Sequence, residues 1–324
     1  MQALFELNVT ALAGGVGAAR FLRGLAQVIN PARLRVVVNT GDDEEFFGLH
    51  VSPDLDTITY TLAGAIDHNK GWGLAEETFR CLQALGRYYP ETWFGLGDTD
   101  LATHLFRTQQ LRHGKTLSEV TRAIARAWGV QATILPMSDD PVRTVVHTEA
   151  GALPFQHYFV KGRGEGQVQK VELRGLTTAS AAPGVCEAIR SADLVILPPS
   201  NPIVSIGPIL ALPSVRKTLR ETTAPIVAVS PLVAGKPVKG PADRLLSGLD
   251  IEVSVVGVAG LYHDFLDTFV IDSQDASQRP RLEQLGLAVI ATDTIMSDME
   301  KSVALARAIV EHGHQKRRRV MSNE

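Results

Sequence analysis

At 324 residues, 45% hydrophobic and 21% charged, the chain has ample apolar material for one large domain or two. A formal net charge of −3 and a pI near 6.3 exclude bulk attraction to nucleic acid or to an anionic membrane. No apolar stretch approaches the ~20 residues of a membrane span, and Glu6 interrupts an N-terminus that has no basic leader. Cys81 and Cys186 are isolated, without metal-ligand spacing, so a cytoplasmic protein with reduced thiols is expected. Only the tail is basic: Lys316, Arg317, Arg318 and Arg319 are expected to form a solvated, disordered end without function.

In chain order, a first strand near Leu7–Leu12 runs into Gly14-Gly15-Val16-Gly17-Ala18-Ala19-Arg20. A helix follows with Phe21, Leu22, Leu25, Val28 and Ile29 on one face, then the buried strand Val36–Val38. This strand, glycine loop, helix, strand opening predicts a Rossmann-like half. A second block begins at the helix Val185–Arg190. It continues through strands at Leu194–Leu197, Ile226–Ser230, Val253–Val258, Asp267–Ile271 and Ala288–Ala291, and closes on the helix Lys301–His312. Between them, helical patterns at Glu76–Leu85 and Leu117–Trp128 mix with strand-like runs at Thr144–Thr148 and Gln156–Val160, and Gly162–Gly166 reads as a turn. The expected fold class is α/β: a Rossmann-like, mostly parallel sheet with helices on both faces, plus a smaller α+β subdomain inserted in the middle. The expected boundaries are 1–59 and 180–324 for the core and 60–179 for the inserted subdomain, which covers the sheet's carboxyl edge.

The glycine loop lets backbone N–H groups approach a phosphate at a helix N-terminus. It is no Walker A loop, since no Gly-Lys-Ser/Thr follows. Gly15, Gly17 and Arg20 nearly satisfy Gly-x-Gly-x-x-Gly, but the arginine suggests a cation aimed at phosphate. A dinucleotide site and a plain structural turn both stay open at this point. After the second strand come Asp42 and Asp43, then Asp54 and Asp56. Such carboxylates repel one another unless a cation or a polyol shares the space, and hard oxygens suit Mg²⁺. Asp42 also fits a ribose-binding acid, and Asp54 an N-cap before a helix over Ile58–Ala65.

Beyond the strand Leu194–Leu197 lies Pro198-Pro199-Ser200-Asn201-Pro202-Ile203-Val204-Ser205. Proline fixes such a loop while Ser and Asn supply hydrogen bonds, at the strand end where α/β folds bind ligands. Trp93–His104 and Leu135–Val142 are further polar junctions. Within them His104 reads as a helix-packed histidine before it reads as a base, and Asp98 or Asp100 as caps of a helix beginning at Leu101.

These segments, with Val229-Ser230-Pro231-Leu232-Val233-Ala234-Gly235-Lys236-Pro237-Val238-Lys239-Gly240, occur together and in order. The chain resembles the 2-phospho-L-lactate transferase (CofD/FbiA) family of coenzyme F420 biosynthesis, from about Leu12 to the final helix. The resemblance implies transfer of a phospho-acid from a guanylylated donor, enolpyruvyl- or lactyl-diphosphoguanosine, to the terminal ribityl hydroxyl of the deazaflavin Fo, with release of GMP. It implies Mg²⁺ on Asp42 and Asp56, with Asp43 and Asp54 close behind, and Asp54 or Asp56 orienting the hydroxyl. Gly14, Gly15, Gly17 and Arg20 would line the diphosphate, and Ser200, Asn201 and Ser205 would hold the guanosine half. Trp72 and Trp93 would shield the deazaflavin. Thr99 stands where the family usually has the arginine of Gly-Asp-Arg-Asp, and is expected to contact acceptor or donor. A homodimer is expected.

Two rival readings remain. A nucleotide-sugar-binding regulator would share the glycine loop and the Asn-Pro loop, but not the Pro53-Asp54-Leu55-Asp56 and Ala102-Thr103-His104 segments. A nicotinamide dehydrogenase would need the missing glycine and a catalytic His or Tyr–Lys pair.

Overall fold

Seven short apolar runs pair side by side, all in parallel. They are β1 (Val9–Ala13), β2 (Leu34–Val38), β3 (Thr133–Pro136), β4 (Leu194–Leu197), β5 (Ile226–Val229), β6 (Thr268–Asp272) and β7 (Ala288–Thr292). The computed structural model describes residues 2–322, with side chains from 3 to 318. Across the sheet the order is β7-β6-β5-β4-β1-β2-β3. The chain steps outward from β1 to β3, returns to the other side of β1 as β4, and steps outward again. That reversal leaves a crevice beyond the carboxyl ends of β1 and β4, where open α/β sheets bind ligands. Every residue of β1, β4, β5 and β6 is buried, as expected for strands covered on both faces.

The covering helices are α1 (Gly15–Leu25), α2 (Pro53–Leu62), α3 (Asp100–Arg112), α4 (Leu117–Ala127), α5 (Val185–Arg190), α6 (Ile206–Ala211), α7 (Pro213–Glu221), α8 (Val255–Gly260) and α9 (Met299–Ser322). One face buries Phe21, Leu22 and Leu25 of α1 with Leu305, Ile309 and Val310 of α9. The other buries Val185 and Ile189 of α5 with Val215 and Leu219 of α7. Burial of each such side chain contributes about 1.5–3 kcal/mol. α4 starts on a complete capping box, Thr116 accepting from the Glu119 N–H and Glu119 accepting from the Thr116 N–H.

The expected α/β sheet is present, and four details differ. The run Val253–Val258 is no strand: Ser254 Oγ accepts from the Gly257 N–H at 3.1 Å and starts α8. Gln156–Val160 is not extended either. His157–Lys161 winds into a wide helical turn, with Gly162 N–H donating to His157 O at 2.9 Å and the Tyr158 ring fully buried. The middle segment is not wholly separate from the core, because β3 pairs with β2 as an edge of the main sheet. What lies over the carboxyl edge is the irregular stretch before α3 and an antiparallel sheet of Arg143–Thr148, Gly151–Pro154 and Val168–Arg174. Finally, the basic tail continues α9. Lys316 pairs with Asp267 at 2.9 Å and Arg317 with Asp193 at 2.5 Å, at the sheet edge opposite the crevice; the Arg319 side chain lies outside the described residues.

Gly17 shows how tightly α1 meets the loop after β4: a Cβ there would stand 2.1 Å from the Pro199 carbonyl oxygen. Backbone cannot yield as a flexible side chain can. Gly17→Ala is therefore expected to destabilise the fold by about 1–3 kcal/mol, read as a lower urea midpoint at unchanged m-value. A midpoint equal to wild type would refute that packing.

Candidate active site

The crevice opens into a cavity of about 570 Å³. Its floor comes from the loops after β1, β2, β4 and β5, and its walls from the covering segments, which supply Trp72, Trp93, Phe94, Phe155 and Phe159. Gly14, Gly15, Gly17, Arg20, Asp42, Asp54, Asp56, Ser200, Asn201 and Ser205 all line it. Two candidates do not. Asp43 is turned away, its Oδ2 accepting from Ser52 Oγ at 2.9 Å and lying 3.0 Å from His50 Nε2. Thr99 is exposed at the start of α3, where its N–H donates to Glu77 Oε1 at 2.7 Å.

Asn39 and Asp54 knit three of these loops together. Asp54, in the first turn of α2, accepts the Gly15 N–H at 2.7 Å on Oδ1 and Asn39 Nδ2 at 2.9 Å on Oδ2. Asn39 also donates to Val204 O at 3.2 Å and accepts from the Gly41 N–H at 2.8 Å. A Cβ on Gly14 would sit 2.6 Å from Asp54 Oδ2 and 2.9 Å from Ser205 Cβ, so only glycine fits. Asp54 is thus no N-cap of its own helix; it binds the start of α1, the anion-favouring end of that helix.

Asp42 is buried beside this cluster, and its Oδ1 has no hydrogen-bond partner among the described residues. Burial, and next the charge of Asp54, hold Asp42 well above the ordinary carboxylate range. Burial raises Asp54 to about 6 against the lowering hydrogen bonds from Asn39 and Gly15. A divalent cation in contact with this pair would relieve both penalties.

Asp56 has a different partner. The fully buried Arg107 of α3 forks both its carboxylate oxygens, Nη1 to Oδ2 at 3.1 Å and Nη2 to Oδ1. Arg107 Nη1 also lies 3.2 Å from His104 Nδ1, which makes that nitrogen an acceptor and leaves Nε2 to carry the proton. Nε2 faces Asp100 Oδ2 at 3.1 Å, and Asp100 Oδ1 accepts from Tyr60 Oη at 2.7 Å. The expected cation partner of Asp56 is therefore supplied by the chain itself as an arginine, and Asp42 and Asp54 are the cavity-lining carboxylates with no cationic partner among the described residues. His104 is a buried link in this network, in keeping with its reading as a packed histidine. No cluster of three or more His, Cys, Asp or Glu with metal-holding geometry occurs among the described residues. An ion here would complete its shell from substrate oxygens, which is how Mg²⁺ commonly binds.

In the loop after β4, Asn201 Oδ1 accepts from the N–H groups of Ile203 and Val204 at 3.0 and 3.3 Å. Part of its role is to hold the loop in shape. Ser200 Oγ is buried and has no partner among the described residues, so it presents an unsatisfied hydroxyl to the cavity wall. Beside Arg20, Lys239 also lines the cavity, and burial followed by the Arg20 charge lowers its pKa. Sequence reasoning missed Arg107, Tyr60 and Lys239 as site residues. Lys239 was legible in principle, as a lysine in a Gly- and Pro-rich loop after a core strand. Arg107 carried no comparable signal, since an arginine on a helix is ordinarily a solvent residue.

The family model described as 2-phospho-L-lactate transferase CofD matches residues 9–309. The chain belongs to this family. A phosphoenolpyruvate transferase of Streptomyces griseus is 44% identical over 94% of this chain and 98% of its own length. A 2-phospho-L-lactate transferase of Methanosarcina mazei is 41% identical over 92% of this chain and 98% of its own. This CofD family member is accordingly a transferase. The fold is shared more widely: a UPF0052-family protein of Bacillus halodurans, 16% identical, superposes with a TM-score of 0.61 over 94% of this chain and 99% of that one. No helix among the described residues is long and apolar enough to cross a membrane.

The raised carboxyl of Asp54 has a signed effect on stability. It stabilises the fold while protonated, fully so below its unfolded pKa of about 4, and that contribution is lost as pH rises through about 6. Asp54→Asn cannot ionise, so its deficit against wild type should narrow by about 2 kcal/mol between pH 4 and pH 7.5 in the ligand-free protein. Thermal denaturation across that range measures the gap; a gap that stays constant or widens contradicts the assignment.

Proposed function

We propose that this transferase moves a phospho-acid group, phosphoenolpyruvate or 2-phospho-L-lactate, from a guanylylated diphosphate donor to the terminal ribityl hydroxyl of Fo, releasing GMP, in coenzyme F420 biosynthesis. The observation that carries this reading is the convergence, in one cavity of a CofD-family chain, of cations, an acidic pair and an aromatic wall. The names of the Streptomyces griseus and Methanosarcina mazei relatives, a phosphoenolpyruvate transferase and a 2-phospho-L-lactate transferase, support the two donor acids.

In this scheme the acceptor hydroxyl attacks the phosphorus that bears the acid, and the bond from that phosphorus to the bridging oxygen of GMP breaks. Such transfers depend on alignment and on neutralising charge at the phosphoryl oxygens. Arg20, Lys239 and the N-terminus of α1 neutralise the diphosphate. Asp56, held in place by the Arg107 fork, accepts the O–H hydrogen bond of the acceptor and orients it. Asp42 and Asp54 would hold Mg²⁺: the unpartnered Oδ1 of Asp42 and the raised pKa values of both carboxyls fit that ion when phosphate oxygens complete its shell. When bound, the ion supplies charge neutralisation between donor oxygens. Ser200 and Asn201 hold the guanosine half, and Trp72, Trp93 and Phe94 cover the deazaflavin.

Supplying Fo, Mg²⁺ and the two guanylylated donors together, with the deazaflavin product read by mass spectrometry, tests the reaction. The Fo mass is expected to rise by the phospho-acid, with GMP formed one for one, and Asp42→Asn should lower turnover by at least about a hundredfold. Absence of both products, with a folded protein, defeats the proposal. Ser200→Ala separates binding from folding. Removing an unpartnered buried hydroxyl should leave the thermal midpoint equal or higher, while GDP affinity falls about two- to tenfold by calorimetry. Unchanged GDP affinity would take Ser200 out of the nucleotide site.

A further inference from the structure

A short strap carries Trp72 to the mouth of the cavity. Ile66 and Leu74 pair across its base, Asp67 Oδ1 accepts from the N–H groups of Asn69 and Lys70 at 2.9 and 3.2 Å, and Gly71 and Gly73 turn it with φ of 78° and 69°. Trp72 is 42% exposed and rests on Gly95, where a Cβ would stand 2.9 Å from its Cη2. Lys70 Nζ lies 5.7 Å from the Trp72 ring centroid.

The other side of the strap is fastened to the groups that face the donor. Arg23 Nη1 lies 2.7 Å from His68 Nδ1. Gly71 packs on the first turn of α1, so closely that a Cβ would be 2.6 Å from Val16 Cγ1. Lys239 Nζ donates to the Lys70 carbonyl at 3.1 Å. An ammonium has three N–H donors, so the bond to the strap leaves two for an anion in the cavity that Lys239 lines with Arg20.

We propose that Lys239 is a positioning residue that couples the two substrates: the ammonium that neutralises a donor phosphate also fixes the strap that presents Trp72 to the deazaflavin. This rests on the functional reading above and adds a coupling between the two substrate sites to it. With no anion present, Lys239 and Arg20 repel one another, and the lowered pKa of Lys239, due first to burial and then to Arg20, accords with that. A phosphate between them removes the repulsion and holds Nζ in place, and with it the carbonyl of Lys70. Filling the donor site therefore tightens the acceptor site, and by linkage the acceptor tightens the donor by the same factor.

The test uses the full chain with GDP as the probe of the donor site and Fo as the probe of the acceptor site. Fo is titrated with and without saturating GDP, and GDP with and without saturating Fo. Wild type should bind Fo at least about fivefold more tightly when GDP is present, with the same factor in the reverse titration. Lys239→Met, at an exposed position, should bring the factor to about one. Gly71→Ala keeps both cations but drives the strap off Val16; it should retain GDP affinity and lose most of the coupling. Affinities that are indifferent to one another in wild type overturn the coupling and leave the functional reading standing. Coupling that survives Lys239→Met also overturns it. Failure of GDP or Fo to bind at all overturns the functional reading, and this inference with it.

Discussion

The carboxylate of Asp54 is the constraint on which the rest of the site depends. It reaches from the first turn of α2 to the first N–H of α1 and to Asn39, and Asn39 reaches on to Val204. Loops that leave β1, β2 and β4 are thereby fixed to one another at the point where the sheet order reverses. A buried carboxylate with several polar donors is a satisfied group, and such groups specify one arrangement because any other leaves them unpaired. Gly14 and Gly17 follow from that closeness: each stands where a Cβ would strike a neighbouring loop. The glycine loop is in the first place a packing device.

One ion pair and one pair of acids sit at the same cavity in different surroundings. Asp56 has a buried arginine on both oxygens, whereas Asp42 and Asp54 have only neutral donors and are pushed toward protonation. Losing one partner of a buried pair costs about 3–5 kcal/mol, so Arg107 and Asp56 stand or fall together. The Asp42–Asp54 pair is instead disfavoured until something cationic arrives. The Arg107–Asp56 pair builds structure, while the Asp42–Asp54 pair carries burial that no cation among the described residues offsets.

The cavity is also divided by chemistry along its rim. Cations and the Pro-Ser-Asn loop lie over the sheet, on elements anchored in the two large cores. The aromatic residues come from irregular segments and a small antiparallel sheet, anchored by minor clusters such as Phe46 with Leu96 and Val146 with Tyr158. Local stability follows contact with a core, so the side over the sheet is the rigid half and the aromatic side the more adaptable one.

The sequence by itself determined the parallel sheet, because apolar runs such as Leu194–Leu197 alternate with amphipathic helices and no other architecture buries both. It also determined which loops face the cavity, since Gly14–Arg20, Asn39–Asp43 and Pro198–Ser205 each follow a core strand. It misjudged Val253–Val258, where a serine cap outweighs β-branched composition, and it hid β3 within the middle segment because a four-residue strand ending in proline carries little periodicity. Only the tertiary structure decided how the acids are shared. Asp42, Asp43, Asp54 and Asp56 are alike as letters within a short span. Burial and long-range partners, His50 and Ser52 for Asp43, Asn39 and Gly15 for Asp54, Arg107 for Asp56, separate them. Arg107 lies 51 residues from Asp56 in the chain, and a contact at that separation is fixed by how α3 packs against α2 rather than by any local pattern.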